Sequence, residues 1–129
     1  MARRRERERG SATVEFALVM PLVLTVALAL VQVGLLARDR LLVEEAARAG
    51  ARAASVEPDD GAVRDQAVAA APSLDPAALT VTVTRSGTRG DPVSVTVSYL
   101  DVVRVPFVDW LVGSAVTMDT TASARQEFG

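Results

Sequence analysis

The 129-residue sequence contains no cysteine, no histidine and, among its 14 basic residues, no lysine. Without cysteine there is no disulfide and no thiolate metal site. Without histidine there is no imidazole ligand and no nucleophile–histidine pair. Without lysine, Schiff-base and P-loop chemistry are excluded as well. The apolar run also lacks a GxxxG face, because Gly34 stands alone in it. There are no internal repeats. The length suits one small domain and not two large cores.

The charge is unevenly placed. The chain carries 14 basic and 16 acidic residues, for a net −2. Its first ten residues hold Arg3, Arg4, Arg5, Arg7 and Arg9 against Glu6 and Glu8, a local +3 that leaves −5 for the remainder. A body of that sign is a poor nucleic-acid binder, since phosphate neutralisation needs a positive surface.

From Phe16 to Ala37 no residue is charged; Pro21, Thr25, Gln32 and Gly34 are the only interruptions. Those 22 residues form a helix of roughly 33 Å at ~1.5 Å per residue, which matches the ~30 Å hydrocarbon layer. The segment has no polar face and reads as a single transmembrane helix within residues 11–37. Residues 1–10 form a basic leader. Five arginines precede the run, and Arg38 and Arg40, split by Asp39, follow it. The positive-inside rule then keeps the N-terminus in the cytoplasm and places residues beyond about 40 outside. An ordinary secretory signal has a shorter apolar run followed by a small-x-small cleavage site. Here the run is long and Ala27-Leu28-Ala29 lies inside it.

Glu15 stands at the mouth of the apolar run. A carboxylate near the bilayer centre costs ~2.5–3.5 kcal/mol, and less near the edge. One account is a helix-start acid favoured by the macrodipole; a capping box is excluded because position 12 is Ala. The other needs a cation that reaches Glu15 within the bilayer. A cut after Gly10 would supply one, the new α-amino group of Ser11. The amine of one helix would then meet the carboxylate of a staggered neighbour, neutralising both charges and fixing an axial register.

The stretch Arg9-Gly10-Ser11-Ala12-Thr13-Val14-Glu15-Phe16-Ala17-Leu18-Val19-Met20-Pro21-Leu22 resembles the opening of TadE-like proteins of the tight-adherence (Flp-type) pilus system, a pseudopilin branch of the type IV pilin superfamily. Glu45-Ala46-Ala47-Arg48-Ala49-Gly50-Ala51-Arg52 is similar to that family's post-membrane segment. The resemblance implies a minor subunit in the cytoplasmic membrane of a bacterium, with cleavage between Gly10 and Ser11 by a prepilin peptidase. It implies Glu15 as the assembly carboxylate, with Phe16 beside it. The implied partners are that peptidase, other pilin or pseudopilin subunits and an inner-membrane assembly platform. It implies no catalysis and no cofactor. The alternative from the residues is an uncleaved single-pass anchor presenting an outer binding domain.

Pro21 permits a kink in the membrane helix or is simply tolerated there. The helix is expected to continue outward over residues 38–55. Arg40, Glu44, Arg48 and Arg52 then follow at i, i+4 on one solvated face. Ala46, Gly50 and Ala54 form a second stripe, of small residues, for packing onto the outer domain or against a neighbouring subunit. Glu57-Pro58-Asp59-Asp60-Gly61 reads as a turn in which an Asp caps a second helix. That helix is expected over Ala62–Ala71, short, with Val63, Ala67 and Ala70 inward, and ended by Pro72.

The period then changes to two. Leu79, Val81 and Val83 alternate with threonines, and Val93, Val95, Val97 and Tyr99 alternate with Ser94, Thr96 and Ser98. These are two half-buried strands joined by the loop 86–91, with a third strand over Ala115–Ala124 that points Val116 and Met118 inward. Arg89-Gly90-Asp91, a tripeptide familiar from integrin ligands, reads as turn chemistry in that loop. The aromatic stretch 105–112 fills a core or touches a membrane surface or partner. The expected fold is α+β: a long helix, a short one and a three-stranded antiparallel sheet, with residues 56–129 as an outer domain too small to be robust alone.

Overall fold

Hydrophobic periodicity divides the chain between one very long helix and a small sheet, and both are present in the computed structural model. It describes residues 2–103 and 113–129, with side chains from Gly10 onward apart from Ser11. The aromatic stretch 105–112 therefore lies outside the described residues. Helix α1 runs unbroken from Ala2 to Val56, through Pro21. At ~1.5 Å per residue it is roughly 80 Å long. Helix α2 spans Asp60–Ala69, a single 3₁₀ turn Pro76–Ala78, and the strands are β1 Leu79–Arg85, β2 Pro92–Val102 and β3 Ala115–Arg125.

The strands pair antiparallel in the order β1-β2-β3. Leu79 faces Tyr99, Val83 faces Val95, and Tyr99 faces Met118. One face of β2 (Val93, Val95, Val97, Tyr99) is buried against α1 and α2, as strict alternation requires. The other face is a lattice of hydroxyls. Ser94 and Ser123 share a 3.0 Å hydrogen bond across β2 and β3, and Thr96 and Thr121 one of 2.8 Å. Such cross-strand pairs help fix the register.

The core answers the question of how so small an outer domain holds together. Val43, Ala46, Ala47, Ala51 and Ala54 of α1 belong to one cluster with Val63, Ala71, Leu74, Leu79 and the inward residues of β2. The outer part of α1 thus supplies one wall of the core. Small side chains there let the helix lie close on the sheet. At Gly50 a Cβ would come within 2.9 Å of Val95 Cγ1 and 3.3 Å of Ala67 Cβ, so glycine lets the helix approach the sheet without displacing a Val95 methyl. Of the two uses for the Ala46–Gly50–Ala54 stripe, the chain's own core takes it: Ala46 and Ala54 are 0% exposed and Gly50 is buried. The stripe is not a surface left for a neighbouring subunit.

Helix α2 begins two residues earlier than its expected start at Ala62. The physical reason is Asp59, which is the cap and not part of a longer turn. Its carboxylate accepts from Gly61 N at 3.1 Å and Ala62 N at 3.2 Å. Val63 and Ala67 are fully buried, whereas Ala70 is half-buried at the C-cap. Asp59→Ala is expected to destabilise the outer unit by about 1 kcal/mol. A thermal melt should show this as a fall of roughly 4–8 °C in Tm. In β3 Met118 is buried as expected, and Val116 is half-buried near the strand's start.

Candidate functional site

Among the described residues, most of the apolar part of α1 has no cover from the rest of the chain; only its last turns, from Gln32 on, are partly covered. Its most apolar 18-residue stretch has no buried residue, and the helix is long and apolar enough to cross a membrane. Side chains such as Phe16 (65% exposed), Leu18 (74%) and Leu30 (68%) point outward all round. A helix apolar on every face and unburied belongs in lipid or in a bundle of like helices. The two polar side chains in the run are accommodated differently. Thr25 Oγ1 donates to Pro21 O at 2.8 Å, so its hydroxyl is satisfied within the helix. Gln32 is 1% exposed, covered by the chain itself.

The two chemically distinctive positions lie at the N-terminal end of this run. Gly10 is helical and exposed, and a Cβ there would meet nothing within 4 Å. Glycine costs a helix about 1 kcal/mol relative to alanine, and the chain's own packing gives no return for it. Gly34 is open in the same way. Glu15 is exposed, between Val14 (60% exposed) and Phe16. Glu15 and Phe16 thus lie one and a half turns beyond Gly10 on an uninterrupted helix.

Beyond the apolar run the charged stripe forms as the i, i+4 spacing requires. Glu44 Oε1 lies 3.7 Å from Arg40 Nε, and Glu44 Oε2 accepts from Arg48 Nη2 at 3.2 Å. Arg48 also lies 3.9 Å from Glu45. These pairs are exposed and each adds only a few tenths of a kcal/mol, about the usual value for helix surface pairs.

Three polar side chains, Gln32, Asp39 and Asp101, are buried to 1–2% exposure. Polarity alone marks none of them as buried. A positional signal is nevertheless present: Gln32 and Asp39 are seven residues apart and continue at Val43, Ala46, Gly50 and Ala54, one face of a helix. Asp101 continues the inward alternation of Val93, Val95, Val97 and Tyr99. Arg38 Nη1 lies 3.5 Å from Asp39 Oδ1.

Arg85, at the end of β1, is equally unmarked in the sequence. It ties three elements together: its guanidinium contacts the Asp60 carboxylate at the start of α2, donates to Glu57 O at 2.8 Å, and lies 5.8 Å from the centre of the Phe128 ring. The C-terminal residues close over the same region, with Glu127 N donating to Ser55 O at 2.7 Å and Gln126 N to Asp91 O at 2.9 Å.

The Arg89-Gly90-Asp91 tripeptide is consumed by its own loop. Gly90 has φ +91°, the left-handed region, and Asp91 Oδ2 accepts from Thr88 N at 2.8 Å. Among the described residues, no group of three or more acidic side chains is placed to hold a metal ion.

No curated protein and no solved structure matches the chain. One family does: its description is TadE-like protein, and it matches residues 10–52. That interval starts at the exposed glycine, takes in Glu15 and the whole apolar run, and ends inside the Ala-rich wall of the core. The stretches Arg9–Leu22 and Glu45–Arg52 that carry the resemblance fall, but for Arg9, within this interval, so residues 10–52 are similar to TadE-like proteins.

Proposed function

We propose that the protein is a TadE-like minor pseudopilin, a single-pass structural subunit of a bacterial cytoplasmic membrane used in assembling a tight-adherence pilus or secretion filament. It is a substrate of a prepilin peptidase and not itself an enzyme. The observation that carries this reading is the order Gly10, Glu15, apolar run on one helix whose most apolar stretch is unburied, inside the segment similar to TadE-like proteins.

The peptidase gives Gly10 a use that intrachain packing does not. Hydrolysis of the Gly10–Ser11 peptide bond releases the Arg-rich leader and leaves Ser11 with a free α-amine. Glu15 becomes the fifth residue of the product. On staggered parallel helices, that amine lies level with the carboxylate of the next subunit. Each charge then neutralises the other where water is scarce, and the pair sets the axial offset between subunits. The exposed aliphatic surface supplies the lateral packing. The outer unit, held by α1 on one side of its sheet, lies on the outer side of the membrane.

The intact mass of the chain extracted from membranes tests the processing step. The expected first residue is Ser11. A species that begins at Met1 or within the arginines would contradict it.

A further inference from the structure

The outer unit has an apolar end, and its position on α1 fixes what that end meets. Strand β3 runs in the same direction as α1: Val116–Met118 border residues 33–40 of the helix, while Ala122–Ala124 border residues 48–55. The start of β3 and the end of β2, paired through Val102 and Ala115, therefore form the end nearest the apolar run.

The outer unit borders α1 from Val33 on, five residues before the first charge at Arg38. At ~1.5 Å per residue this end reaches about 8 Å below the first charge, Arg38. It overlaps the layer that the helix's own length assigns to lipid.

The surface chemistry changes at the same level. On its outer face β2 reads Ser94, Thr96, Ser98 and then Leu100 and Val102, which are 50% and 58% exposed. Leu41 on α1 is 66% exposed at this end too. Among the described residues of the outer unit, Val56 is the one large exposed aliphatic elsewhere. Between α1 and β3 a groove of about 310 Å³ is lined by Val33, Leu36, Val116 and Met118, with Thr117 and Arg40 also on its wall. The Arg40 side chain is 61% exposed and sits about 10 Å further along the helix than Val33. The order along the groove, hydrocarbon first and then a cation, is that of a phospholipid in the adjoining leaflet.

We propose that this end of the outer unit is a lipid-docking surface: Leu100, Val102 and Leu41 contact the leaflet, and the α1–β3 groove seats an acyl chain whose phosphate lies against Arg40. The unit thus rests on the bilayer with no stalk. This inference is independent of leader cleavage and of filament assembly.

The absence of native cysteine makes single labels unambiguous. In the full chain, reconstituted in phosphatidylethanolamine–phosphatidylglycerol vesicles, a nitroxide is placed at Leu100→Cys and, for reference, at Leu24→Cys and Thr84→Cys. Collision with oxygen reports lipid and collision with a nickel chelate reports water. Leu100 is expected to read at the phosphate level, between mid-bilayer Leu24 and aqueous Thr84. Native mass spectrometry of the detergent-extracted chain is expected to show about threefold less retained phospholipid for Arg40→Gln, restored by Arg40→Lys. A Leu100 label as nickel-accessible as Thr84 would overturn the proposal. So would a label shielded from both reagents, which would mean cover by another protein chain, or lipid retention indifferent to Arg40→Gln.

Discussion

Glu15→Val is expected to leave the protein in the membrane and to remove it from the assembled structure. The substitution makes the apolar run longer and easier to insert, so membrane recovery should be unchanged or higher. Assembly is another matter. Removing one partner of a desolvated ion pair costs roughly 3–5 kcal/mol, because the remaining charge is left without compensation. At about 1.4 kcal/mol per decade, that is a loss of roughly two to three and a half orders of magnitude in the equilibrium between assembled subunits and free subunits in the membrane. On the proposed reading, the remaining charge is the α-amine of a neighbour. Glu15→Gln keeps the shape and loses the charge, and it should fail nearly as badly. The readout is the ratio of this chain in sheared filaments or pulled-down assemblies to that in membranes. Equal ratios for wild type and both variants would show that the carboxylate serves only the helix dipole.

The second large effect is at Gly50. A Cβ alone would lie 2.9 Å from Val95 Cγ1. Gly50→Ala therefore sets a helix-propensity gain of about 1 kcal/mol against a contact that a valine methyl must relieve, and its net effect should be small. Gly50→Leu adds three more carbons between α1 and the sheet. Overpacking of this kind costs typically 1–3 kcal/mol or more, and a core this small supplies on the order of 3–5 kcal/mol in all. The outer unit is expected to unfold or become protease-sensitive while the apolar helix still inserts. Gly34→Leu is the control, since nothing lies within 4 Å of a Cβ there. A protease-resistant Gly50→Leu domain with a wild-type melt would contradict the close packing of α1 on β2.

Much of this architecture is legible in the residues because two periods are cleanly separated. The uncharged run Phe16–Ala37 and the alternation at 79–84 and 93–99 each leave one solution, and the structure extends them by only a few residues at the sheet. The start of α2 slips because Asp59 and Asp60 are chemically equal as caps; which of them turns its carboxylate onto the next amides depends on φ and ψ, not on composition. The stripe at Ala46, Gly50 and Ala54 is visible, but a small-residue ridge serves an internal sheet and a foreign helix equally well. Only the position of Val95 decides between them. Burial of Asp39 and Asp101 is hidden because charge ordinarily marks a surface, although both sit in phase with buried neighbours. Arg85 gathers partners 25 and 28 residues away in sequence, Asp60 and Glu57, which no local pattern encodes. Of the candidate site, Gly10 and Glu15 are legible as anomalies: a poor helix former and an acid at the head of a run that is otherwise built for lipid.

The pairing of Glu15 with a neighbour's new amine is the central claim, and the lack of lysine allows it to be tested chemically. A processed chain has one primary amine, at Ser11. A membrane-permeable carbodiimide activates buried carboxylates and joins them to amines only at contact distance. Applied to membranes or filaments containing the assembled protein, it should give a covalent product whose peptide mass spectrum shows the Ser11 amine of one subunit in amide linkage to Glu15 of another, and Glu15→Gln should abolish that product. A chain that still begins at Met1 and yields no amide at Glu15 would contradict the account.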